Sequence, residues 1–183
     1  MPALLTPRPT KSPLLPLMAL ISAAAATLYG CNQYPALAQA KIEPCVAIDM
    51  LVADHSNNFA DIRTRPRPFN SITVWQTDYE VIQDRCEIWG WGSGKFNYVC
   101  SIVSPTKDVA TARYSDSIKR VQGCLNSDWV ATENPRKVGN GVHTRFIQAN
   151  NPTTVSLHLV ETPGIFSTEW TTYASVGNYS DKL

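Results

Sequence analysis

The cysteines constrain the fold of this chain more than any other residue type. The chain has five of them, and Cys31 lies in an N-terminal segment with the features of an export signal. The other four, Cys45, Cys86, Cys100 and Cys124, predict two disulfides in an oxidising compartment, with three connectivities open. None has the close Cys-x-x-Cys spacing of a zinc site, and none is left over as a catalytic thiol.

The N-terminal segment has the pattern of a secretory signal peptide. Arg8 and Lys11 are its only charges, and the apolar run that follows, Leu14 to Leu28, is short for a transmembrane helix. Ala36 and Ala38 occupy the small-residue positions of a signal-peptidase site. We therefore expect cleavage after Ala38 and a secreted or periplasmic protein of bacterial type.

A second interpretation of the same segment is a lipid anchor. The stretch from Leu28 to Cys31 resembles a bacterial lipoprotein box, although Tyr29 stands where a small or β-branched residue is usual. On this alternative Cys31 is lipidated, and the protein is a membrane-anchored lipoprotein of the envelope. The membrane is expected to be a partner only through the signal peptide or this anchor.

Charge and length limit the class of protein. Removing a signal peptide at 1–38 lowers the formal net charge from +1 to −1, because that segment carries two cations and no acid. A near-neutral chain argues against nucleic acid as a partner. The remainder fits a single domain at 39–176 with a flexible C-terminal tail at 177–183. Its Thr, Ser, Val and aromatic residues favour strands.

The stretch CEIWGWGSGKFNYVC, from Cys86 to Cys100, predicts a β-hairpin closed by a disulfide. Glycines at 92 and 94 suit the centre of a tight turn because glycine accepts positive φ angles. A hairpin without a bulge would place the two cysteines directly opposite, within disulfide range. The same register pairs Trp91 with Lys95, Gly90 with Phe96, Trp89 with Asn97, and Ile88 with Tyr98.

The two faces of this hairpin differ in chemistry. Phe96 and Tyr98 share a face with the cysteines, and we expect that face to meet the core. Trp89 and Trp91 lie on the other face beside Lys95, which makes these three the candidate binding residues. They would form an aromatic platform for a sugar ring or a peptide. The alternative is that the chain itself covers the tryptophans and that Trp91 stacks under Lys95.

Two helices are predicted on either side of the first strands. Apolar residues at steps of three and four indicate a helix from Cys45 to about Ile62, with a kink or a split expected at 56–58. A second helix is expected within 104–125, after the capping sequence Ser-Pro-Thr. If Cys86 pairs with Cys100, elimination pairs Cys45 with Cys124, although pairings of Cys124 with a strand cysteine stay open.

The remaining segments read mainly as strands. One strand or two short ones are expected at 71–83, a hairpin at 143–149 and 152–161 with an Asn-Asn turn, and a last strand at 167–176. The segment RTRPRPFN, with Arg63, Arg65 and Arg67, reads as a solvated loop, with a small anion site as the alternative. The predicted fold class is α+β, in the order helix, strands, helix, strands. Its antiparallel sheet would carry both helices on one face and would be stabilised by disulfides.

Few residues suggest catalysis. The last hairpin would place His143 opposite His158, and a small secreted hydrolase built around them, with Glu161 to be tested, is one hypothesis. Glu161 has the opposite strand parity and Arg145 would repel a cation, so we predict no metal site and expect the two histidines to be polar residues on a solvent-facing surface. No nucleophile elbow, zinc-protease motif or nucleotide-binding loop is present, and no cofactor is expected. His55 lies on the apolar stripe of the first helix and is predicted to be a packing residue.

These patterns favour a small binding or interaction module over an enzyme. The aromatic outer side of the Cys86–Cys100 hairpin carries this interpretation, and neither the ligand nor the partner is identified by the sequence. The alternatives are the secreted hydrolase and a structural lipoprotein held through Cys31.

Overall fold

A computed structural model describes residues 42–83, 85–163 and 168–178 of the chain. All of these belong to one compact unit, Gln39–Leu183. The predicted signal peptide, the lipidation alternative at Cys31 and residues 179–183 of the predicted tail lie outside the described residues.

The described residues form an α+β fold with two helices, one 3-10 turn and eight strands. The helices are α1 (Pro44–Asp54) and α2 (Lys107–Cys124), and the 3-10 turn is His55–Asn57. The strands before α2 are β1 (Thr64–Phe69), β2 (Ile72–Gln76), β3 (Arg85–Trp91) and β4 (Phe96–Ser104). The strands after it are β5 (Trp129–Pro135), β6 (Gly141–Gln148), β7 (Thr154–Pro163) and β8 (Thr168–Gly177).

All eight strands form one sheet in the order β1-β2-β3-β4-β8-β7-β6-β5. Every neighbouring pair is antiparallel. The sheet therefore consists of two four-strand meanders, each preceded by a helix, whose last strands β4 and β8 meet at the centre. The halves share this layout, but the sequence shows no residue-level repeat between them.

One face of the sheet contributes to the main core, and we call it the inner face. Tyr98 of β4 and Leu157 of β7 belong to one apolar cluster with Leu51 of α1 and Val121 of α2, and none of the four has exposed surface. The helix α2 contacts β4, β7 and β8, whereas α1 contacts α2 and β8. Burying each such aliphatic side chain stabilises the fold by about 1.5–3 kcal/mol. The alternate strand residues form the outer face.

The hairpin of β3 and β4 has the register that the sequence predicts. Cys86 lies opposite Cys100, Ile88 opposite Tyr98, and Trp89 opposite Asn97. At the turn, Trp91 N donates to Lys95 O at 2.9 Å, and Gly94 has a φ of +74°. A disulfide joins Cys86 to Cys100, with a Cα–Cα distance of 4.0 Å.

A second disulfide joins the two helices. Cys45 in the first turn of α1 bonds Cys124, the last residue of α2, across a Cα–Cα distance of 4.8 Å. The N-terminus of α2 is capped by Thr106, whose hydroxyl accepts a hydrogen bond from the amide of Val109. No helix among the described residues is long and apolar enough to cross a lipid bilayer.

The first helix is shorter than its apolar pattern predicts. It ends at Asp54, and a 3-10 turn follows up to Asn58, which adopts a left-handed φ of 57°. Asparagine tolerates this conformation because its short polar side chain bonds locally, so the Ser-Asn-Asn sequence splits the predicted helix and does not kink it. Phe59 and Ile62 still reach the core from the turns that follow.

The arginine- and proline-rich segment is a strand and not the expected loop. It forms β1 at the edge of the sheet, where Pro66 and Pro68 lie opposite Trp75 and Thr73 of β2. Proline is tolerated on an edge strand because its missing amide proton can face away from the ladder. The strand β5, at the other edge, was also not predicted, and its residues are mostly exposed.

Candidate functional site

An aromatic row crosses the outer face near one edge of the sheet. Trp91 of β3 lies opposite Ile72 of β2, which lies opposite Phe69 of β1. The side chain of Phe69 is 57% exposed, whereas Ile72 and Trp91 are half-buried. The row exists because a two-residue turn at Asn70–Ser71, with a φ of 52° at Asn70, folds β1 back onto β2.

Trp89 extends this row into a patch. Its ring centre lies 6.2 Å from that of Trp91 in an edge-to-face arrangement, which aromatic pairs favour. The patch covers Val74, which is 5% exposed and lies opposite Trp89 on β2. We define the outer aromatic patch as Phe69, Ile72, Trp89 and Trp91.

A charged pair fixes one side of the outer aromatic patch. The indole N–H of Trp89 donates to Glu87 Oε2 at 3.2 Å, and Arg67 donates to Glu87 Oε1 at 3.1 Å. The side chain of Glu87 is 20% exposed and that of Arg67 is 68% exposed. Glu87 therefore orients one tryptophan and holds an exposed guanidinium at the border of the patch.

Lys95 is placed beside the patch by its backbone alone. It is exposed at the end of the hairpin turn, where its carbonyl accepts from Trp91 N. The cation–π contacts among the described residues involve Arg63 and Lys107, and the lysine does not stack on Trp91. Its side chain is available to solvent at the rim.

The adjoining sheet edge favours recognition by side chains over strand addition. Pro66 and Pro68 deprive β1 of two amide donors, and a partner strand would need such donors to form a continuous ladder. All six residues of β1 are exposed. A partner at this edge would therefore contact Phe69 and Arg67 more readily than the backbone.

The histidine pair lies on the same face but away from solvent. His143 and His158 face one another across β6 and β7, and their ring centres are 5.6 Å apart. His143 is 4% exposed and His158 has no exposed surface, so the expectation of a solvent-facing pair is wrong. One cause is Arg136 of the β5–β6 connection, whose Nη1 lies 2.9 Å from Nδ1 of His158.

Arg136 also determines the tautomer of His158. A guanidinium can only donate, so Nδ1 accepts and the neutral imidazole carries its proton on Nε2. Nε2 therefore donates to Ser156 Oγ at 3.0 Å, and that hydroxyl can donate to Ser175 Oγ at 2.7 Å. A histidine acting as general base needs a lone pair on Nε2 facing the serine. In this arrangement His158 does not activate Ser156.

Glu161 does not complete a catalytic set with these histidines. It lies opposite Trp170 on the inner-face parity of β7, whereas His158 lies opposite Tyr173 on the outer face. The amide of Asn140 donates to its carboxylate. Within residues 42–83, 85–163 and 168–178, no group of three or more His, Cys, Asp and Glu side chains is placed to hold a metal ion.

The three arginines of the predicted loop have separate environments. Arg63 lies against the inner face, with its guanidinium carbon 4.9 Å from the ring centre of Trp75 and 4.7 Å from that of Phe96. Its Nη1 is buried and has no hydrogen-bond partner among the described residues. Arg65 and Arg67 are exposed on β1, so the three side chains do not converge on one anion.

Burial shifts the titration of several groups that stay inside the fold. His55 is 8% exposed, its Nδ1 lies 2.8 Å from Thr153 Oγ1, and burial lowers its pKa. Burial raises the pKa of Tyr98 and Tyr114 well above the usual value of tyrosine. Tyr98 uses its hydroxyl to donate to the carbonyl of Tyr79, which ties the 77–83 segment to β4. These groups hold the fold together and are not exposed for chemistry.

Comparison with known proteins provides no precedent for this site. No family model matches the chain, and no curated protein or solved structure matches it. No function can therefore be transferred from a relative. The outer aromatic patch, the histidine pair and the surface cavities of the chain itself carry the functional argument.

Proposed function

We propose that this protein is a small exported binding module of a bacterial-type envelope, which recognises a protein partner through the outer aromatic patch. The observation that carries the proposal is the edge-to-face pair of Trp89 and Trp91, half-buried on the outer face and continued to the sheet edge by the exposed Phe69. Tryptophan and arginine are enriched among the residues that dominate protein interfaces.

The arrangement around the patch supports this role. Both helices pack on the inner face, which leaves the outer face of β1–β3 for a partner. The Glu87 carboxylate holds Trp89 in one orientation, so less side-chain entropy is lost on binding. Arg67, at 68% exposure, adds a cation at the rim that would favour an acidic neighbour on the partner.

Export is supported by the two disulfides, which form and persist in oxidising compartments. On this proposal the chain is cleaved after Ala38 and acts in the periplasm or outside the cell. The alternative is retention at the membrane through a lipid on Cys31. Mass spectrometry of the mature N-terminus separates the two, because a free N-terminus at Gln39 excludes the lipidated form.

A comparison of two regions of the same outer face tests the binding proposal. The purified protein is immobilised and exposed to periplasmic extract, and the amount of each recovered partner is compared with that of the double variant Trp89→Ala/Trp91→Ala. The matched control is Val130→Ala/Ile147→Ala, which removes an exposed cross-strand apolar pair from the outer face at the far edge, where the side chains are 59% and 46% exposed.

We expect the tryptophan variant to recover at least about 10-fold less partner, a loss of about 1.4 kcal/mol in binding, while the control recovers the same amount as the wild type. Equal recovery by both variants would contradict the proposal. Digesting the extract with a protease beforehand should abolish recovery. If recovery survives digestion and still depends on the tryptophans, the ligand is a carbohydrate and not a protein.

A further inference from the structure

A cavity lies on the helix side of the fold, apart from the outer aromatic patch. Its volume is about 460 Å³, within the range of small-molecule sites, and α2, β4 and the segment before β3 line it. Ile82 and Ile102 provide its apolar lining, and Arg113, Asp116, Ser117 and Arg120 of α2 provide most of its polar lining.

The cavity lies where β4 extends past the described part of β3. Among the described residues the last pair of β3 and β4 is Arg85 with Ser101, whereas β4 continues along β8 to Ser104. No described residue pairs with residues 102–104 on the side of β3. Arg113 donates to the carbonyl of Val103 at 3.0 Å and to Ser104 Oγ at 3.1 Å.

The positive charge of the cavity is only partly compensated. Arg113 and Arg120 are seven residues apart on α2 and so lie on the same side of the helix, two turns from one another. The partners of Arg113 are neutral, and Arg120 forms no ion pair with any residue in the described ranges. Asp116, between them, lies 3.5 Å from Lys119, so its charge is shared with a cation outside the cavity.

We infer that this cavity binds a small organic carboxylate with an apolar body. An arginine side chain matches the geometry of a carboxylate and can bond both of its oxygens. The apolar body would contact the half-buried Ile102 at the wall that it forms with the buried Ile82, and would remove the exposed part of Ile102 from water. A singly charged anion fits better than a doubly charged phosphate, because two arginines and Asp116 leave a net charge of one.

A neighbouring cavity is unsuited to the carboxylate itself. It has a volume of about 230 Å³ and shares Gln83 and Arg120 with the first, but Glu43 and Glu80 also line it, so the anion is confined to the larger cavity. Arg120 therefore lies between the two cavities, and its guanidinium can reach a carboxylate bound in the larger one. This makes Arg120 the residue whose removal most directly tests the site.

Titration of the purified protein with hexanoate, followed by two-dimensional NMR of backbone amides, tests this inference. We expect saturable shifts at the amides of Ile82, Ile102 and Ser117. The neutral analogue hexanamide should bind at least about 10-fold more weakly, because it cannot form the charge-assisted pairs. Arg120→Gln should weaken hexanoate binding by a similar factor, and raising the salt concentration should weaken it in the wild type.

The matched control is Arg65→Gln, which removes an exposed arginine on β1 whose partner is Gln76, and it should bind hexanoate as the wild type does. Arg113→Gln is the second variant. Its folding is checked by thermal denaturation, because the native Arg113 side chain also bonds Val103 and Ser104 of β4. Absence of saturable shifts, equal binding of hexanoate and hexanamide, or unchanged affinity of Arg120→Gln would each overturn the inference. Tighter binding of inorganic phosphate than of hexanoate would also overturn it.

Discussion

Arg63 places its guanidinium carbon 4.7 Å from the ring centre of Phe96. The ring centre of Trp75 lies 4.9 Å from the same carbon, and the two ring centres are 5.5 Å apart. The cation therefore contacts both aromatic rings. This contact joins the chain between α1 and β1 to the inner face of β2 and β4. Arg63 therefore connects the region after the first helix to the edge of the sheet, which the sequence pattern did not define.

Replacing Arg63 with alanine should destabilise the fold. We expect the free energy of unfolding to fall by about 1–2 kcal/mol, because two partly desolvated cation–π contacts and their packing are lost. Urea denaturation measures the change. Arg65→Ala, which removes an exposed arginine two residues away, should stay within about 0.5 kcal/mol of the wild type. Equal effects of the two substitutions would mean that the aromatic contact does not stabilise the fold.

Gly90 leaves the space that these rings occupy. A Cβ atom at this position would lie 2.6 Å from Cζ3 of Trp75 and 2.7 Å from Cε1 of Phe96. Gly90→Ala should therefore lower the free energy of unfolding by about 1–3 kcal/mol through overpacking. Gly92→Ala in the same hairpin is the control, because nothing lies within 4 Å of its Cβ. A thermal melt that shows equal midpoints for both variants would contradict the close packing.

The two disulfides should differ in their contribution to stability. The bridge Cys45–Cys124 spans 79 residues and the bridge Cys86–Cys100 spans 14. The chain-entropy model gives about 4.5 kcal/mol for the longer loop and about 3 kcal/mol for the shorter one. The double variant Cys45→Ala/Cys124→Ala should thus melt at a lower temperature than Cys86→Ala/Cys100→Ala. The reverse order would show that native-state contacts, and not loop closure, determine the effect.

His55 should make the stability of the fold sensitive to mild acid. Burial lowers the pKa of His55 in the folded state below the usual histidine value of 6.5, so the unfolded chain binds the proton more readily. The contribution of neutral His55 is therefore complete above pH 6.5 and is lost as the pH falls below this value. Denaturation measured at several pH values should show a steeper loss of stability in the wild type than in His55→Gln. Parallel pH profiles would assign the acid sensitivity to other groups.

Local sequence was sufficient to predict two of the hairpins. The register between Cys86 and Cys100 and the pairing of His143 with His158 both follow from a turn of a few residues between alternating strands. Side chains opposite one another across a short turn are close for any chain with that turn. The cap of α2 at Thr106 follows in the same way from its own neighbouring residues.

The candidate sites could be predicted only in part. Trp89 and Trp91 were identified from their parity in one hairpin, but Phe69 and Ile72 join them through the pairing of β2 with β3, across the 77–83 segment. The Asn70–Ser71 turn was a signal for this second hairpin, and the prolines of β1 obscured it. The cavity beside α2 had no sequence signal, because it depends on how α2 packs beside β4 and residues 82–83.

The sequence by itself determined the elements whose causes are local: the helices with their apolar stripes, the turns, and the two hairpin registers. It also limited the four cysteines downstream of Cys31 to three pairings. Only the tertiary structure decided which surfaces meet solvent. It buried His158 beneath Arg136, left Phe69 exposed at an edge, and brought Arg113 to the carbonyl of Val103. The exposure of a side chain depends on residues far apart in the chain. The spacing of neighbouring residues therefore does not predict it.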